Sequence, residues 1–146
     1  MERSHPKELR VVLHPHDSQG LGHTRGNLAI AHALAALLPE YAGRKVTGLL
    51  VTGESTATRF EIPAGWDWVV LPGIRKGDGG YRPRHLAIGQ DTLVQLRAQL
   101  IDAVLSQFRP HLASTTTRRS STPSWARSRW TARCSSRRTR LSRCSS

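Results

Sequence analysis

Residues 9–38 read LRVVLHPHDSQGLGHTRGNLAIAHALAALL and predict the start of an α/β fold. Leu9–Leu13 is a short apolar run of the kind that forms a covered parallel strand. Because Pro15 cannot continue a central strand, the run gives way to a loop. The loop contains three glycines: Gly20, Gly22 and Gly26. From Asn27 to Leu38 the apolar residues recur at helical spacing, so the stretch predicts a strand, a glycine loop and a helix in that order.

A glycine loop that leads into a helix suits an anionic ligand. Backbone N–H groups of glycine can approach a ligand closely because no Cβ lies in the way. The start of the helix adds unpaired N–H donors and partial positive charge, which favour phosphate and other anionic oxygens. Thr24, or the residue before it, is expected to cap the helix. We therefore expect Gly20 and Gly22 to contact a ligand through their backbone.

The rest of the chain up to residue 112 continues the alternation of strands and helices. The predicted elements are strands at Lys45–Val51 and Trp66–Leu71, a short helix at 56–60, a polar loop at 74–84, an amphipathic helix at Asp91–Phe108 and a fourth strand after Pro110. This order implies a Rossmann-like α/β fold with a parallel sheet, right-handed crossovers and flanking helices. The ligand is expected at the carboxyl ends of the strands.

Charge divides the chain near residue 112. Residues 1–112 hold 13 Lys or Arg and 10 Asp or Glu, a net charge of +3, whereas residues 113–146 hold nine Arg and no acid, a net charge of +9. Both cysteines also lie after residue 112, so the predicted domain needs no oxidising compartment. No apolar run of about 18 residues is present, and the amino terminus lacks the apolar region of a signal peptide. We expect a soluble, cytoplasmic domain with no transmembrane segment.

Three cofactor hypotheses are weak. The spacing Gly20-x-Gly22-x-x-x-Gly26 partly matches a dinucleotide fingerprint, but six residues separate the strand from Gly20 where a tight turn is needed. The phosphate loop that ends in Lys-Ser or Lys-Thr is absent. His14, His16 and Asp17 are residue types that can bind a metal, but nothing else in the sequence supports a metal site there. We therefore expect neither a cofactor nor a metal.

The glycine loop is the first of five motifs that follow one another over residues 9–110. They are Gly20-Leu21-Gly22-His23 with Arg25, Gly53-Glu54-Ser55, the segment Phe60–Pro72, Gly80-Tyr81-Arg82-Pro83-Arg84, and Phe108-Arg109-Pro110. In this series the sequence resembles the amino-terminal half of GT-B type glycosyltransferases, both family 28-like enzymes and a bacterial group of predicted glycosyltransferases. The resemblance implies an acceptor-side domain at residues 1–112, in an enzyme that moves a sugar from a nucleotide-sugar to an acceptor hydroxyl.

The resemblance also implies roles for single residues. His23 stands where these enzymes keep a histidine facing the acceptor, and histidine can take a proton from a hydroxyl near neutral pH; the alternative is a histidine that only bonds the backbone at the helix start. Arg25 would neutralise a phosphate or carboxylate, or be a solvated surface arginine. Ser55 belongs to the same predicted substrate site. Tyr81 and Arg84 would line the acceptor side, or only shape their loop.

One departure from the family bears on activity. GT-B enzymes bind the nucleotide-sugar mainly in a second, carboxyl-terminal domain, and 146 residues leave no room for it. The expectation is a fragment that is inactive alone, whose partners are a nucleotide-sugar and a small-molecule or glycan acceptor, with no specific nucleic acid. Two alternatives remain: a nucleotide-sugar hydrolase-like fragment that uses water as acceptor, and a non-enzymatic fragment whose tail binds nucleic acid through phosphates.

Residues 113–146 are predicted to form a disordered basic tail. Arg, Ser and Thr make up 25 of these 34 residues, which leaves too little apolar surface to offset an ordering entropy of about 1–2 kcal/mol per residue. A second interpretation is a frame shift of one base. Codons can be chosen that restore Ser114–Thr122 to a segment that begins with an apolar residue followed by Asp, as at the end of the family's fourth strand. That hypothesis predicts regular structure only before about residue 112.

Overall fold

The computed structural model describes residues 7–15 and 21–116 of the chain. In chain order the elements are β1 (Glu8–Pro15), α1 (Gly22–Ala42), β2 (Lys45–Thr52), a 3₁₀ helix (Ser55–Arg59), β3 (Trp66–Val70), β4 (Ile74–Gly77), β5 (Gly80–Pro83), α2 (Gln90–Phe108) and β6 (Leu112–Thr116). Four strands form a parallel sheet in the order β3-β2-β1-β6, and β4 and β5 form a separate antiparallel hairpin. The predicted Rossmann-like α/β class, with a parallel sheet and flanking helices, is confirmed.

β1 lies in the middle of the sheet, between β2 and β6. Its apolar residues Val11, Val12 and Leu13 are at most 2% exposed, as expected when both faces of a parallel strand are covered. The strand continues through His14 to Pro15, which lies opposite Thr116 at the end of the β6 register. The predicted break therefore falls two residues later than expected, because a proline is tolerated at the end of a strand.

The core lies between α1 and one face of the sheet. It is formed by Val11, Leu13, Ala31, Val46, Leu50 and Trp66. Gly48 in β2 makes room for the largest of these side chains, since a Cβ at Gly48 would lie 2.3–2.5 Å from ring atoms of Trp66. The turn before β3 needs glycine for a different reason, because Gly65 has φ +82° and its carbonyl accepts the N–H of Gly48 at 3.0 Å.

α1 begins at Gly22, five residues earlier than expected. The residue before it, Leu21, has no side chain that can cap the helix, and Thr24 is fully buried inside the first turns. The prediction that Thr24 or its neighbour caps the helix is therefore wrong. Burial of one helix face outweighs the low helix propensity of the two glycines. At the other end, α1 continues through Pro39 to Ala42 and ends before Gly43, four residues beyond the predicted end at Leu38.

The region predicted as a polar loop at 74–84 contains the β4–β5 hairpin. Its turn is made by Gly79 and Gly80, with φ +87° and +134°, values that residues with a side chain rarely adopt. The loop prediction is wrong because both strands are short and partly exposed, so they show no alternation of apolar and polar residues.

α2 buries a narrower face than its sequence suggests. Leu93, Arg97 and Ile101 are buried, whereas Leu96 and Leu100 are 37% and 38% exposed. The helical spacing of the apolar residues predicts a face that includes both of these leucines. This prediction is partly wrong, because Arg97 takes a buried position between Leu93 and Ile101. No helix in the described part of the chain is long and apolar enough to span a membrane.

The fourth strand expected after Pro110 is present as β6, which pairs with β1. It includes residues 113–116, which the composition assigned to the tail, and the first compact unit of the chain ends at Thr116. The expectation that regular structure stops before about residue 112 is therefore wrong, because serine and threonine can pair through their backbone beside a buried strand. Residues 117–146, to which the predicted disorder and most of the frame-shift hypothesis apply, lie outside the described residues.

Candidate functional site

The carboxyl ends of the parallel strands carry the polar segments that the sequence singled out. α1 begins after the end of β1, the 3₁₀ helix begins after the end of β2, and the β4–β5 hairpin begins after the end of β3. Because β1, β2 and β3 are parallel neighbours, these three segments start from one edge of the sheet. We call this edge the carboxyl edge.

The first turn of α1 is open on its outer side. Gly22 is exposed, and a Cβ built on it would have no atom within 4 Å. His23 is half-buried, and its carbonyl oxygen accepts the side-chain amide of Asn27 at 2.9 Å. Thr24 turns inward, and its Oγ1 meets no hydrogen-bond partner within residues 7–15 and 21–116. Gly20, the other predicted contact glycine, lies outside the described residues.

Arg25 joins the start of α1 to the end of the 3₁₀ helix. Its guanidinium carbon lies 5.4 Å from the centroid of the Phe60 ring, a distance typical of a cation–π contact. Ser55, the first residue of the 3₁₀ helix, is exposed, and its carbonyl accepts the Thr58 hydroxyl at 2.8 Å. The contact between Arg25 and Phe60 therefore brings the segment that holds Gly22 and His23 beside the segment that holds Ser55.

Arg84 is part of an ion pair that the sequence did not reveal. Its Nη1 donates to Oε2 of Glu54 at 2.5 Å, and its Nη2 donates to the carbonyl of Ile74 at 3.2 Å. The backbone N–H of Arg84 also donates to the carbonyl of Gly73 at 2.9 Å. One arginine therefore joins the loop after β2 to the base of the β4–β5 hairpin. The only sequence signal for its partner was an acidic residue directly after a loop glycine at a strand end.

The Glu54 carboxylate is held in its ionised form. Burial alone would raise its pKa, but hydrogen bonds from Arg84 and from the Thr56 hydroxyl and N–H, with the charge of Arg84, lower the pKa below its ordinary value. Thr56 donates its hydroxyl at 2.9 Å and its N–H at 3.3 Å. The carboxylate is therefore fixed from both sides, by the 3₁₀ helix and by the hairpin base.

Arg97 is a second arginine that the sequence did not assign. It is buried in α2, and its Nη1 donates to the carbonyl of Pro72, which follows β3. Its position was visible in the sequence, since it lies four residues after Leu93 and four before Ile101, both buried. An arginine on the apolar face of a helix usually has a buried acceptor, because an unpaired buried charge is costly.

The remaining predicted site residues lie on the hairpin or outside the described chain. Tyr81 is half-buried in β5, opposite Lys76, and so belongs to a different element from His23. His14 is buried near the end of β1, whereas His16 and Asp17 lie outside the described residues. Within residues 7–15 and 21–116, no group of three or more His, Cys, Asp or Glu could hold a metal ion.

Comparison with known proteins gave no match: no protein-family model, no curated protein and no solved structure matches this chain.

Proposed function

We propose that this domain is the acceptor-side domain of a GT-B type glycosyltransferase, as the order of its motifs suggests. The observation that carries the proposal is the open first turn of α1, where Gly22 and His23 follow the central strand of the sheet. The contact between Arg25 and Phe60 sets this turn beside the 3₁₀ helix. Backbone donors, an imidazole and a hydroxyl from Ser55 then belong to adjacent segments, a suitable set for binding a sugar hydroxyl.

In this proposal His23 acts as the general base. Its imidazole accepts the proton of an acceptor hydroxyl while the hydroxyl oxygen attacks the anomeric carbon of the donor sugar. The bond from that carbon to the diphosphate oxygen breaks, and the nucleoside diphosphate leaves with the electron pair. The family pattern assigns donor binding to a second domain, so the work of the present domain is to hold the acceptor and to receive its proton.

The other predicted residues take different roles. Ser55 is exposed and offers a hydroxyl to the acceptor. Arg25 keeps its N–H edge for a phosphate or carboxylate while its face rests on Phe60. Arg84, which the resemblance assigned to the acceptor, acts as a positioning residue, because Glu54 already occupies its guanidinium. We further infer a cytoplasmic location, since the described domain contains no cysteine to be oxidised.

Binding measured at His23 tests the proposal. The protein is labelled for NMR, and the imidazole Cε1–Hε1 signal of His23 is identified with a His23→Ala variant. A panel of mono- and disaccharide acceptors and a panel of nucleotide-sugars are then titrated separately. We expect at least one acceptor to move the His23 signal in a saturable way, because the shift of an imidazole depends on its protonation and contacts. The nucleotide-sugars should leave the signal at its free position within the error of the measurement.

Two results would contradict the proposal. The first is a His23 signal that moves with nucleotide-sugars and with no acceptor. The second is release of free sugar from a nucleotide-sugar when water is the only acceptor, which would favour the hydrolase alternative. His32 on the same helix is a matched internal control, because its Nε2 lies 3.1 Å from the carbonyl of Glu61, away from the first turn.

A further inference from the structure

The β4–β5 hairpin carries two arginines that face each other across its strands. Arg75 and Arg82 are direct partners in the antiparallel register, so their side chains leave the same face of the hairpin. Both are exposed, and no carboxylate within residues 7–15 and 21–116 pairs with either guanidinium. Like charges at directly opposed positions destabilise a strand pair. An anion bound between the two arginines would remove this repulsion.

The hairpin holds Arg82 in a defined position. Its Nη2 donates to the carbonyl of Asp78 at 3.1 Å. Its side chain also lies over Gly77, because a Cβ on Gly77 would come within 3.0 Å of Cδ and 3.1 Å of Nε of Arg82. The bond to Asp78 uses one of the five N–H donors of a guanidinium. Arg82 is therefore placed in advance of any ligand, with donors left over.

The opposite face of the hairpin is different. There the direct partners are Lys76 and Tyr81, so this face has one cation next to an aromatic ring. Lysine presents a compact point charge, whereas the planar fork of arginine matches two oxygens of a phosphate. Two faces of one hairpin thus differ in charge and in donor geometry, although they share the same backbone.

We propose that Arg75 and Arg82 form a binding site for a diphosphate group. Paired residues in an antiparallel ladder have Cα atoms about 4.5–5.5 Å apart, so the two forks can bind two adjacent phosphates of one ligand, each through parallel hydrogen bonds. The hairpin starts at the carboxyl edge, where the open turn of α1 also lies. The site depends on the geometry of the hairpin alone, and it goes beyond the proposed role of His23 in proton transfer.

A local titration with inorganic pyrophosphate tests this site. The full chain is labelled with ¹⁵N, and the dissociation constant is read from the amide signals of Gly79 and Gly80 and from the arginine Nε–Hε signals of the hairpin. A local signal is required because the arginines of residues 113–146 also attract anions. We expect Arg75→Gln and Arg82→Gln each to weaken binding about tenfold, the usual effect of losing one charged hydrogen-bonding group.

Lys76→Gln is the matched control, since it removes the same charge from the opposite face of the same hairpin. We expect it to change the dissociation constant by less than about twofold, an effect limited to exposed charge. Equal weakening by all three variants would overturn the site, because it would indicate attraction by general charge. No saturable shift in the parent protein, or tighter binding of orthophosphate than of pyrophosphate, would also overturn it.

A second set of titrations separates two sources of a diphosphate. Uridine diphosphate represents a soluble nucleotide, and farnesyl diphosphate in neutral detergent micelles represents a lipid-linked group. If one of these two ligands binds more tightly than the other, and Arg75→Gln loses that binding, the site is supported and the source of its diphosphate group is identified. Binding of both that is unchanged in Arg75→Gln and Arg82→Gln contradicts the site. These results do not depend on the His23 signal, so the site and the proposed glycosyl transfer can fail separately.

Discussion

At the scale of single residues, two glycines fix the contact between β2 and the start of β3. Gly65 takes a positive φ and bonds Gly48 through its carbonyl, while Gly48 leaves the space that Trp66 fills. Contacts of this kind join residues from different elements, so hydrophobic periodicity within one element cannot predict them.

Gly48→Ala is expected to lower the free energy of unfolding by about 1–3 kcal/mol, because the added methyl group overlaps the Trp66 ring. Gly26→Ala is the control with the opposite sign. It lies in α1 with no atom within 4 Å of a Cβ, and alanine in a helix is favoured over glycine by about 0.5–1 kcal/mol. Urea unfolding of both variants measures the difference. A Gly48→Ala protein as stable as the parent would contradict the packing described for Trp66.

Stability at acid pH should depend on Glu54. Its pKa is lowered in the folded protein, so at acid pH the unfolded chain binds a proton that the folded protein does not. The stabilisation by Glu54 is therefore complete above the ordinary pKa of 4.5. It is lost as the pH falls through the lower pKa of the folded state. Glu54→Gln is expected to reduce stability at pH 7 by about 1–3 kcal/mol, the cost of breaking a charged hydrogen bond.

Urea unfolding between pH 7 and pH 3 measures this effect. The difference between the parent protein and Glu54→Gln should shrink as the carboxyl group is protonated. Glu40→Gln, at an exposed position near the end of α1, is the control and should leave the acid dependence close to that of the parent. A constant difference across the whole pH range would show that the carboxylate charge does not stabilise the fold.

At the scale of elements, the strands and helices with strong periodicity were predictable and the hairpin was not. β2, β3 and α2 were recognised because apolar residues recur at the spacing of a strand or a helix. The β4–β5 hairpin is held instead by one ion pair and by backbone bonds at its base. Arg84 appeared in the sequence as a candidate substrate residue, since nothing in a one-dimensional pattern places it beside Glu54, 30 residues earlier.

Arg84→Met should release the hairpin from the sheet without unfolding the domain. We expect the amide protons of β4 and β5 to exchange at least about tenfold faster, because an element with few remaining bonds opens locally. The amides of β1 and β2 should keep their protection. Lys76→Met is the control in the same hairpin, since Lys76 makes no ion pair among the described residues. Equal acceleration in β1 would mean that Arg84 supports the whole domain.

At the scale of the whole molecule, β6 decides where the domain ends. Composition placed the boundary after residue 112, because the Arg, Ser and Thr content changes there. The structure pairs Leu112–Thr116 with β1, and a composition count cannot detect backbone pairing. The Arg10 N–H donates to Nδ1 of His111 at 3.0 Å, and the His111 N–H donates to the carbonyl of Arg10 at 2.8 Å. These bonds fix the approach to the strand.

Two shortened chains test this boundary. A chain that ends at Thr116 should keep the stability of the parent to within about 1 kcal/mol, whereas a chain that ends at Leu112 should lose at least about 2 kcal/mol, because several backbone hydrogen bonds to β1 are removed. Thermal and urea unfolding measure both. Equal stability of the two chains would place the boundary at residue 112, as the composition suggested. The frame-shift hypothesis stays a separate prediction, which sequencing of the gene and its transcript would test.

The central claim, that the open turn of α1 supplies the general base for glycosyl transfer, is tested most directly by turnover of a His23→Ala variant. The measurement requires a longer protein that joins this domain to a donor-binding domain. Loss of the base should lower kcat by about 10²- to 10⁴-fold while the KM for the acceptor changes far less. His32→Ala, on the same helix, should turn over like the parent. A His23→Ala enzyme with kcat within about twofold of the parent value, well below the usual effect of losing a general base, would contradict the claim.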